Sequence, residues 1–221
     1  GGVTAPKGFL ASGIAAGIKA SGKKDLALLY SEEPAAAAAA FTRNRFKASH
    51  IKVCLKHLAA AKHQAIVVNA GNANCANGPS GDKDSGLMAR LAANELSLKN
   101  SEALVASTGV IGKALPVARI KKAMPGLVGK LSPEGGSAFA EAILTTDTKR
   151  KELAVRFEIG RKTVRIGGAC KGVGMIYPNL TTAKHATMLC FLTTDAAIAK
   201  KMLYSALDEA IAESFNMISV D

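Results

Sequence analysis

Three glycine-rich loops carry the side chains of this sequence that are best suited to chemistry. They are residues 69–78 (NAGNANCANG), 107–112 (STGVIG) and 171–176 (KGVGMI), and the last of these runs on toward 186–189 (ATML). Small residues let backbone N–H groups and short hydroxyls approach a reacting carbonyl oxygen, which is how an oxyanion is stabilised during acyl transfer. Asn and Gly are also common in ordinary turns, so the loops alone leave both interpretations open.

Metal and nucleotide chemistry find no support in the sequence. The four histidines have no zinc-binding spacing, and neither HExxH nor CxxC occurs. Gly168, Gly172 and Gly174 lack the order of dinucleotide-binding glycines, and there is no P-loop. We therefore expect no metal and no cofactor.

The loops are set in an alternating pattern of strands and helices. We predict strands at 26–30, 65–69, 102–107 and 191–194, a hairpin over 152–169 with its turn at 160–161, a glycine loop at 167–174, and helices at 82–96, 116–124, 137–144 and 195–215, the last capped by Thr194 or Asp195. This pattern indicates an α/β fold with α+β layers, in which sheets are flanked by helices. Aromatic residues make up only 5% of the chain, so we expect a core built mainly of Ala, Val, Ile and Leu.

The chain is strongly basic, with 29 Lys and Arg against 17 Asp and Glu and a net charge of +12. The basic residues occur as scattered pairs and triplets without an RNA-binding aromatic motif, so we expect a solvated surface and no nucleic-acid partner. The same charge suits the attraction of carboxylate substrates. A non-catalytic basic binding protein remains an alternative.

Composition also favours a cytoplasmic protein. No apolar run approaches the ~20 residues of a membrane span, so we expect no membrane association. The four cysteines have no disulfide-framework spacing, and the glycine-rich start lacks the charged and apolar regions of a signal peptide.

Five motifs taken together resemble one enzyme family. In chain order they are NAGNANCANG, STGVIG, ILTTDT, GGACKGVGMIYPN and ATMLCFLTTDA, and the likeness runs from GGVTAPKGF to the final NMISVD. They are similar to the ornithine acetyltransferases of arginine biosynthesis, which are glutamate N-acetyltransferases.

The resemblance implies an enzyme that cleaves its own precursor before a threonine, giving α and β subunits that stay associated and assemble further. That threonine takes an acetyl group from N-acetylornithine and passes it to glutamate in a ping-pong reaction. Thr108 and Gly109 match the family's oxyanion hole, and Thr146, Lys171 and the nucleophile match its substrate-binding positions. No cofactor is implied, and the use of acetyl-CoA as a further donor stays open.

The sequence offers two candidates for the nucleophile, because residues 181–185 are additional to the family pattern. Spacing from Lys171 predicts Thr182, whereas the motif downstream predicts Thr187. A nucleophile must keep a fixed position on the strand that follows it, since a shift by an odd number of residues turns its side chain to the opposite face. We therefore expect Thr187, with cleavage between Ala186 and Thr187. The freed α-amine, with an ordinary pKa of about 7.7–8.0, can act as base for the hydroxyl.

We expect this cleavage to divide the chain into an α-subunit-like region, 1–186, and the start of a β-subunit-like region, 187–221, and we expect the rest of the β subunit to be absent from this chain. An N-terminal-threonine hydrolase or aminopeptidase is a second alternative, since it uses the same nucleophile but passes the acyl group to water.

Overall fold

The computed structural model describes residues 1–42, 45–172 and 188–217. The strands are β1 Phe9–Ile14, β2 Leu26–Ala35, β3 His63–Asn72, β4 Ala103–Val110, β5 Lys151–Ile159, β6 Lys162–Lys171 and β7 Leu189–Thr194. The helices are α1 Ser49–His57, α2 Gly78–Glu95, α3 Val117–Val128, α4 Gly136–Ala142 and α5 Lys200–Glu213. Short 3-10 turns lie at Gly2–Thr4, Asn100–Glu102 and Phe215–Met217.

The first sheet has four strands in the order β1-β2-β3-β4. Its first two pairings are antiparallel, and β3 and β4 are parallel, joined through α2. Because parallel strands end at the same edge of a sheet, the loops after β3 and β4 lie side by side.

Both faces of this sheet are buried, because its central strands alternate apolar residues toward opposite sides. Leu28 and Val67 belong to a core shared with Met88 of α2 and Ile120 and Leu127 of α3. The opposite face carries a second core, whose members include Leu29, Val68, Phe139 and Ile143. Helices α2 and α3 thus cover one face of the sheet, and α4 covers the other.

The second sheet is an antiparallel meander in the order β5-β6-β7. Its inner face packs on α4, where the Phe139 and Phe191 rings meet edge to face with centroids 5.3 Å apart. Its outer face leaves Leu153 and Leu192 72% and 54% exposed. The two sheets therefore share α4 as a common layer.

The mixed α/β architecture that the sequence predicts is confirmed, but several boundaries were predicted wrongly. The predicted glycine loop at 167–174 is wrong at its start, because β6 continues through Lys171. The last helix begins at Lys200 instead of after Thr194 or Asp195. Both side chains have other partners: Thr194 Oγ1 donates to the Arg165 carbonyl, and Asp195 accepts the backbone N–H groups of Lys7 and Arg165.

Within the part of the chain described, no helix is both long enough and apolar enough to span a bilayer.

Candidate functional site

The two predicted oxyanion residues lie at the carboxyl end of β4, beside the end of β3. Thr108 pairs with Ala70, and Gly109 pairs with Gly71. Gly109 has a φ of +131°, and a Cβ there would lie 2.4 Å from the carbonyl carbon of Gly71. Only glycine fits this position, because a side chain would strain the backbone and collide with the neighbouring strand.

Lys171 reaches this point from the other sheet. It is the last residue of β6, and its Nζ donates a hydrogen bond to Thr108 Oγ1 at 3.2 Å. Both residues are buried, Thr108 being 1% and Lys171 2% exposed. Burial lowers the pKa of Lys171 from its ordinary value, against the opposing effect of the Asp147 carboxylate. The structure thus brings together two sequence-predicted site residues that are 63 positions apart.

Asp147 also lies at the candidate site, although the sequence does not single it out. Its Oδ1 accepts hydrogen bonds from the Gly172 N–H at 2.8 Å and from Lys151 Nζ at 2.5 Å. Burial acts to raise the pKa of Asp147, but the bonds from Lys151 and Gly172, with the nearby Lys171 charge, hold it below the usual range. Asp147 thereby anchors the end of β6 next to Lys171. Its place directly after Thr146 in the TTDT motif was the available clue.

Thr146 itself is exposed in the bend after α4. Its neighbour Asp147 ties this bend to Gly172, so Thr146 is held near the Lys171 end of β6 by one peptide link. The structure connects Thr146 to Thr108 through Asp147, Gly172 and Lys171.

The Asn-rich loop after β3 uses its amides to hold itself together. Asn69 Nδ2 donates to the Asn72 carbonyl, and Asn72 Nδ2 donates to the carbonyls of Lys113 and Ala114. Asn74 Nδ2 donates to the Gly81 carbonyl and to Ser85 Oγ at the start of α2. These bonds favour the structural interpretation of the asparagines, as the framework on which Gly71 and Gly109 sit.

A buried carboxylate fastens a further loop over the same edge. Asp25 is fully buried and accepts backbone N–H groups from Ala16, Ile18 and Lys19 at 2.6–2.8 Å. The Lys19 side chain lies so close to Gly71 that a Cβ on Gly71 would be 2.9 Å from Lys19 Cγ. No sequence pattern singles out Asp25, because a single acidic residue before an apolar strand is common.

The proposed nucleophile and cleavage residues, Thr187, Thr182 and Ala186, lie outside the described residues. The described chain resumes beside the site, where Leu189 pairs with Lys171 across β6 and β7. No group of three or more His, Cys, Asp or Glu residues in the described ranges could hold a metal ion.

The match to known families is specific. The ArgJ family model covers residues 10–221. This chain belongs to the ArgJ family. The resemblance to ornithine acetyltransferases that the five motifs indicate is therefore confirmed.

Relatives within the ArgJ family match along the whole chain. The arginine biosynthesis bifunctional protein ArgJ of Symbiobacterium thermophilum is 50% identical over 223 residues, which cover 100% of this chain and 54% of that protein. The chain thus spans about half the length of the curated ArgJ relatives it matches.

Two solved structures share the fold. The bifunctional ArgJ of Bacillus halodurans superposes with a TM-score of 0.77 at 39% identity, covering 86% of this chain and 95% of that one. Ornithine acetyltransferase from Mycobacterium tuberculosis, solved in complex with ornithine, gives a TM-score of 0.74 at 37% identity and covers 85% and 96%.

Proposed function

We propose that the protein transfers an acetyl group from N-acetylornithine to glutamate through an acetyl-threonine intermediate. The observation that carries this proposal is the buried hydrogen bond from Lys171 Nζ to Thr108 Oγ1 where the two sheets meet. The ArgJ relatives named for arginine biosynthesis, and the M. tuberculosis structure with bound ornithine, support this substrate class.

The contact between Thr108 and Lys171 suits an oxyanion hole. Because Lys171 donates to Thr108 Oγ1, the hydroxyl hydrogen of Thr108 is left to be donated to a developing oxyanion. Gly109 supplies a backbone N–H at the next position, and the nearby ammonium adds positive charge in a buried site, where electrostatic stabilisation is strong. The same ammonium suits the carboxylate that both substrates carry, and we assign Thr146 to the substrate beside it.

We propose Thr187 as the nucleophile, in preference to Thr182. Thr187 is two residues from Leu189, so covalent geometry limits their Cα separation to about 7 Å, whereas Thr182 can lie about 25 Å away. Leu189 is paired with Lys171, whose side chain reaches Thr108. Connectivity to the described strand β7 therefore supports Thr187 over Thr182.

Cleavage between Ala186 and Thr187 would separate region 1–186 from region 187–221 and give Thr187 a free α-amine, which serves as base for its own hydroxyl. The length of the B. halodurans chain supports a processed form. The alignment covers 86% of this chain and 95% of that one, so the B. halodurans chain is slightly shorter than this chain. The S. thermophilum relative, of which the match covers 54%, is nearly twice as long as this chain. We further propose that the two pieces stay associated and assemble into a higher oligomer in the cytoplasm.

The deciding experiment is the intact mass of the full-length protein under denaturing conditions. We expect two fragments divided before Thr187 in the wild type and in Thr182→Ala, and one uncut chain in Thr187→Ala. Fragments divided before Thr182 would overturn the choice of nucleophile, and an uncut wild type would overturn self-cleavage.

An activity assay tests the acceptor. Ornithine release from N-acetylornithine beyond the one equivalent that accompanies formation of the acetyl-threonine should require glutamate, and it should fall by ~10²–10³ in Thr108→Val, since one oxyanion donor is lost. Continued ornithine release at a rate that does not depend on glutamate would instead indicate a threonine hydrolase. Acetylation of glutamate by acetyl-CoA would add the second activity that the relatives' name "bifunctional" suggests.

A further inference from the structure

Two cysteines face each other on neighbouring strands beside the site. Cys170 of β6 pairs directly with Cys190 of β7, one position before the Lys171–Leu189 pair. Both are free thiols of intermediate exposure. They lie on the outer face of the small sheet, where they line an open depression of about 300 Å³ together with Lys151, Gly168 and Leu192.

The pairing is compatible with the Cα spacing of a disulfide. Residues directly opposite in an antiparallel pair have Cα atoms about 4.5 or 5.5 Å apart, and disulfides join Cα atoms about 4.4–6.8 Å apart. The two side chains point to the same face of the sheet, because residues directly opposite each other in an antiparallel pair do so. A bond between the sulfurs therefore needs rotation of side chains and no movement of the strands.

We propose that Cys170 and Cys190 form a redox-active dithiol that is oxidised to an intramolecular disulfide by small disulfides such as glutathione disulfide. The other two cysteines provide a contrast within the same chain, since Cys54 and Cys75 are buried. Burial raises the pKa of the Cys54 thiol to about 11, which makes it inert.

Cys170 is the attacking thiol of the pair. The hydrogen bond from Cys190 lowers the pKa of Cys170 from its ordinary value, while burial and the Asp147 carboxylate oppose the shift. The ammonium group of Lys151, which lies directly opposite Cys170 on β5, and that of Lys171, the next residue, support it. The pKa of Cys190 is raised by the same hydrogen bond and by burial, so it stays a thiol. The two sulfurs thus have different roles.

The reaction is a balanced thiol–disulfide exchange. The Cys170 thiolate attacks one sulfur of glutathione disulfide, the S–S bond breaks, and one glutathione thiolate leaves. Cys190 then loses its proton to solvent, attacks the Cys170 sulfur of the mixed disulfide and releases the second glutathione thiolate. The protein gives up two electrons and two protons, and the glutathione disulfide takes up the electrons.

The position of the bond gives it a consequence for the site. It would fix β6 to β7 immediately beside Lys171 and Leu189. If the chain is cut before Thr187, Cys170 and Cys190 belong to different fragments, and the disulfide joins them covalently. This consequence rests on the proposed cleavage, but formation of the disulfide does not.

The test is titration of the full-length protein with glutathione disulfide, followed by alkylation and mass measurement without reductant. We expect the oxidised protein to carry two fewer alkyl groups than the reduced protein and, after proteolysis, to yield one linked peptide pair that contains Cys170 and Cys190, with both changes reversed by dithiothreitol. An unchanged number of alkyl groups, or a linkage through Cys54 or Cys75, would overturn the proposal whether or not the chain is cleaved.

Single variants separate the two roles. Cys190→Ser should accumulate the mixed disulfide with glutathione on Cys170, because the resolving thiol is absent, whereas Cys170→Ser should acquire no adduct. The alkylation rate of Cys170 should rise between pH 6 and pH 8, in line with its thiolate fraction, and should exceed that of the buried Cys54 throughout. An equal adduct on Cys190 in Cys170→Ser, or a rate independent of pH, would contradict the assignment.

Discussion

The two sheets differ in how their apolar residues are used. In the four-stranded sheet, Leu28 and Val67 are fully buried, and both faces are covered. In the three-stranded sheet, β5 turns Leu153 and Val155 to the outside, while Glu152 points inward and accepts a hydrogen bond from Ser137 of α4. Alternation of apolar and polar residues therefore identifies a strand but does not tell which of its faces is covered.

The site uses both sheets, which makes it sensitive to how they are joined. Thr108 and Gly109 belong to the covered sheet, and Lys171 belongs to the half-covered one. The sheets are held against each other through α4, whose residue Phe139 is fully buried, and through the 3-10 turn Gly2–Thr4, whose residue Val3 is fully buried. A change at this junction should therefore affect stability and the contact between Lys171 and Thr108 together.

The largest effect is expected at that junction. Phe139→Ala removes a buried ring and its edge-to-face contact with Phe191, and should cost about 3–5 kcal/mol of unfolding free energy. Phe157→Ala is the matched control, because Phe157 is 40% exposed on the outer face, and it should cost much less. Urea unfolding monitored by circular dichroism measures both. Equal losses would mean that the outer face is as well packed as the junction.

The edge of the covered sheet gives the next largest effect. Gly109→Ala places a methyl group 2.4 Å from the Gly71 carbonyl carbon at a φ of +131°, and we expect a loss of about 3 kcal/mol from strain and collision. Gly160→Ala is the control, because it also has a positive φ, but nothing lies within 4 Å of its Cβ. Gly160→Ala should lower the unfolding free energy only by the strain of a positive φ, without a collision. If the Gly109→Ala protein were as stable as wild type, this result would contradict the close approach of β3 and β4 at Gly109 and Gly71.

The edge of the covered sheet also shows how much of the fold and of the candidate site the sequence could predict. The STGVIG motif and the apolar run before it were enough to predict a strand that ends near Thr108. The contact with Lys171 was not predictable from the residues alone, because it joins two sheets that the pattern does not place relative to each other. Asp25 and Asp147 were missed for a related reason: each acts by accepting backbone N–H groups, and such bonds leave no periodic pattern in the sequence.

A pH-dependent effect should arise in the helical layer of the covered sheet. Burial lowers the pKa of His50 on α1 to about 4 from an unfolded value of 6.5. Between these values the unfolded chain binds a proton that the folded protein does not, so stability falls as the pH falls. We expect a loss of about 2 kcal/mol between pH 7 and pH 5, to which His63 adds in the same direction.

The variant His50→Gln tests this assignment, because it removes the titrating group and should reduce the pH dependence of the urea midpoint. Its stability at pH 7 serves as the reference, so that a general loss of packing is subtracted. An unchanged slope between pH 7 and pH 5 would show that His50 is protonated in the folded protein.

The smallest effect is expected on the outer face of the small sheet. Leu153 is 72% exposed, so Leu153→Ser removes little buried area and should change the unfolding free energy by less than about 0.5 kcal/mol. Leu28→Ser, at a fully buried position of the covered sheet, should cost several times more, because it leaves a cavity and buries a hydroxyl. The two urea midpoints compare the same substitution on the two sheets. A large loss in Leu153→Ser would mean that another surface covers this face in the protein under assay, and the two sheets would then be equally buried.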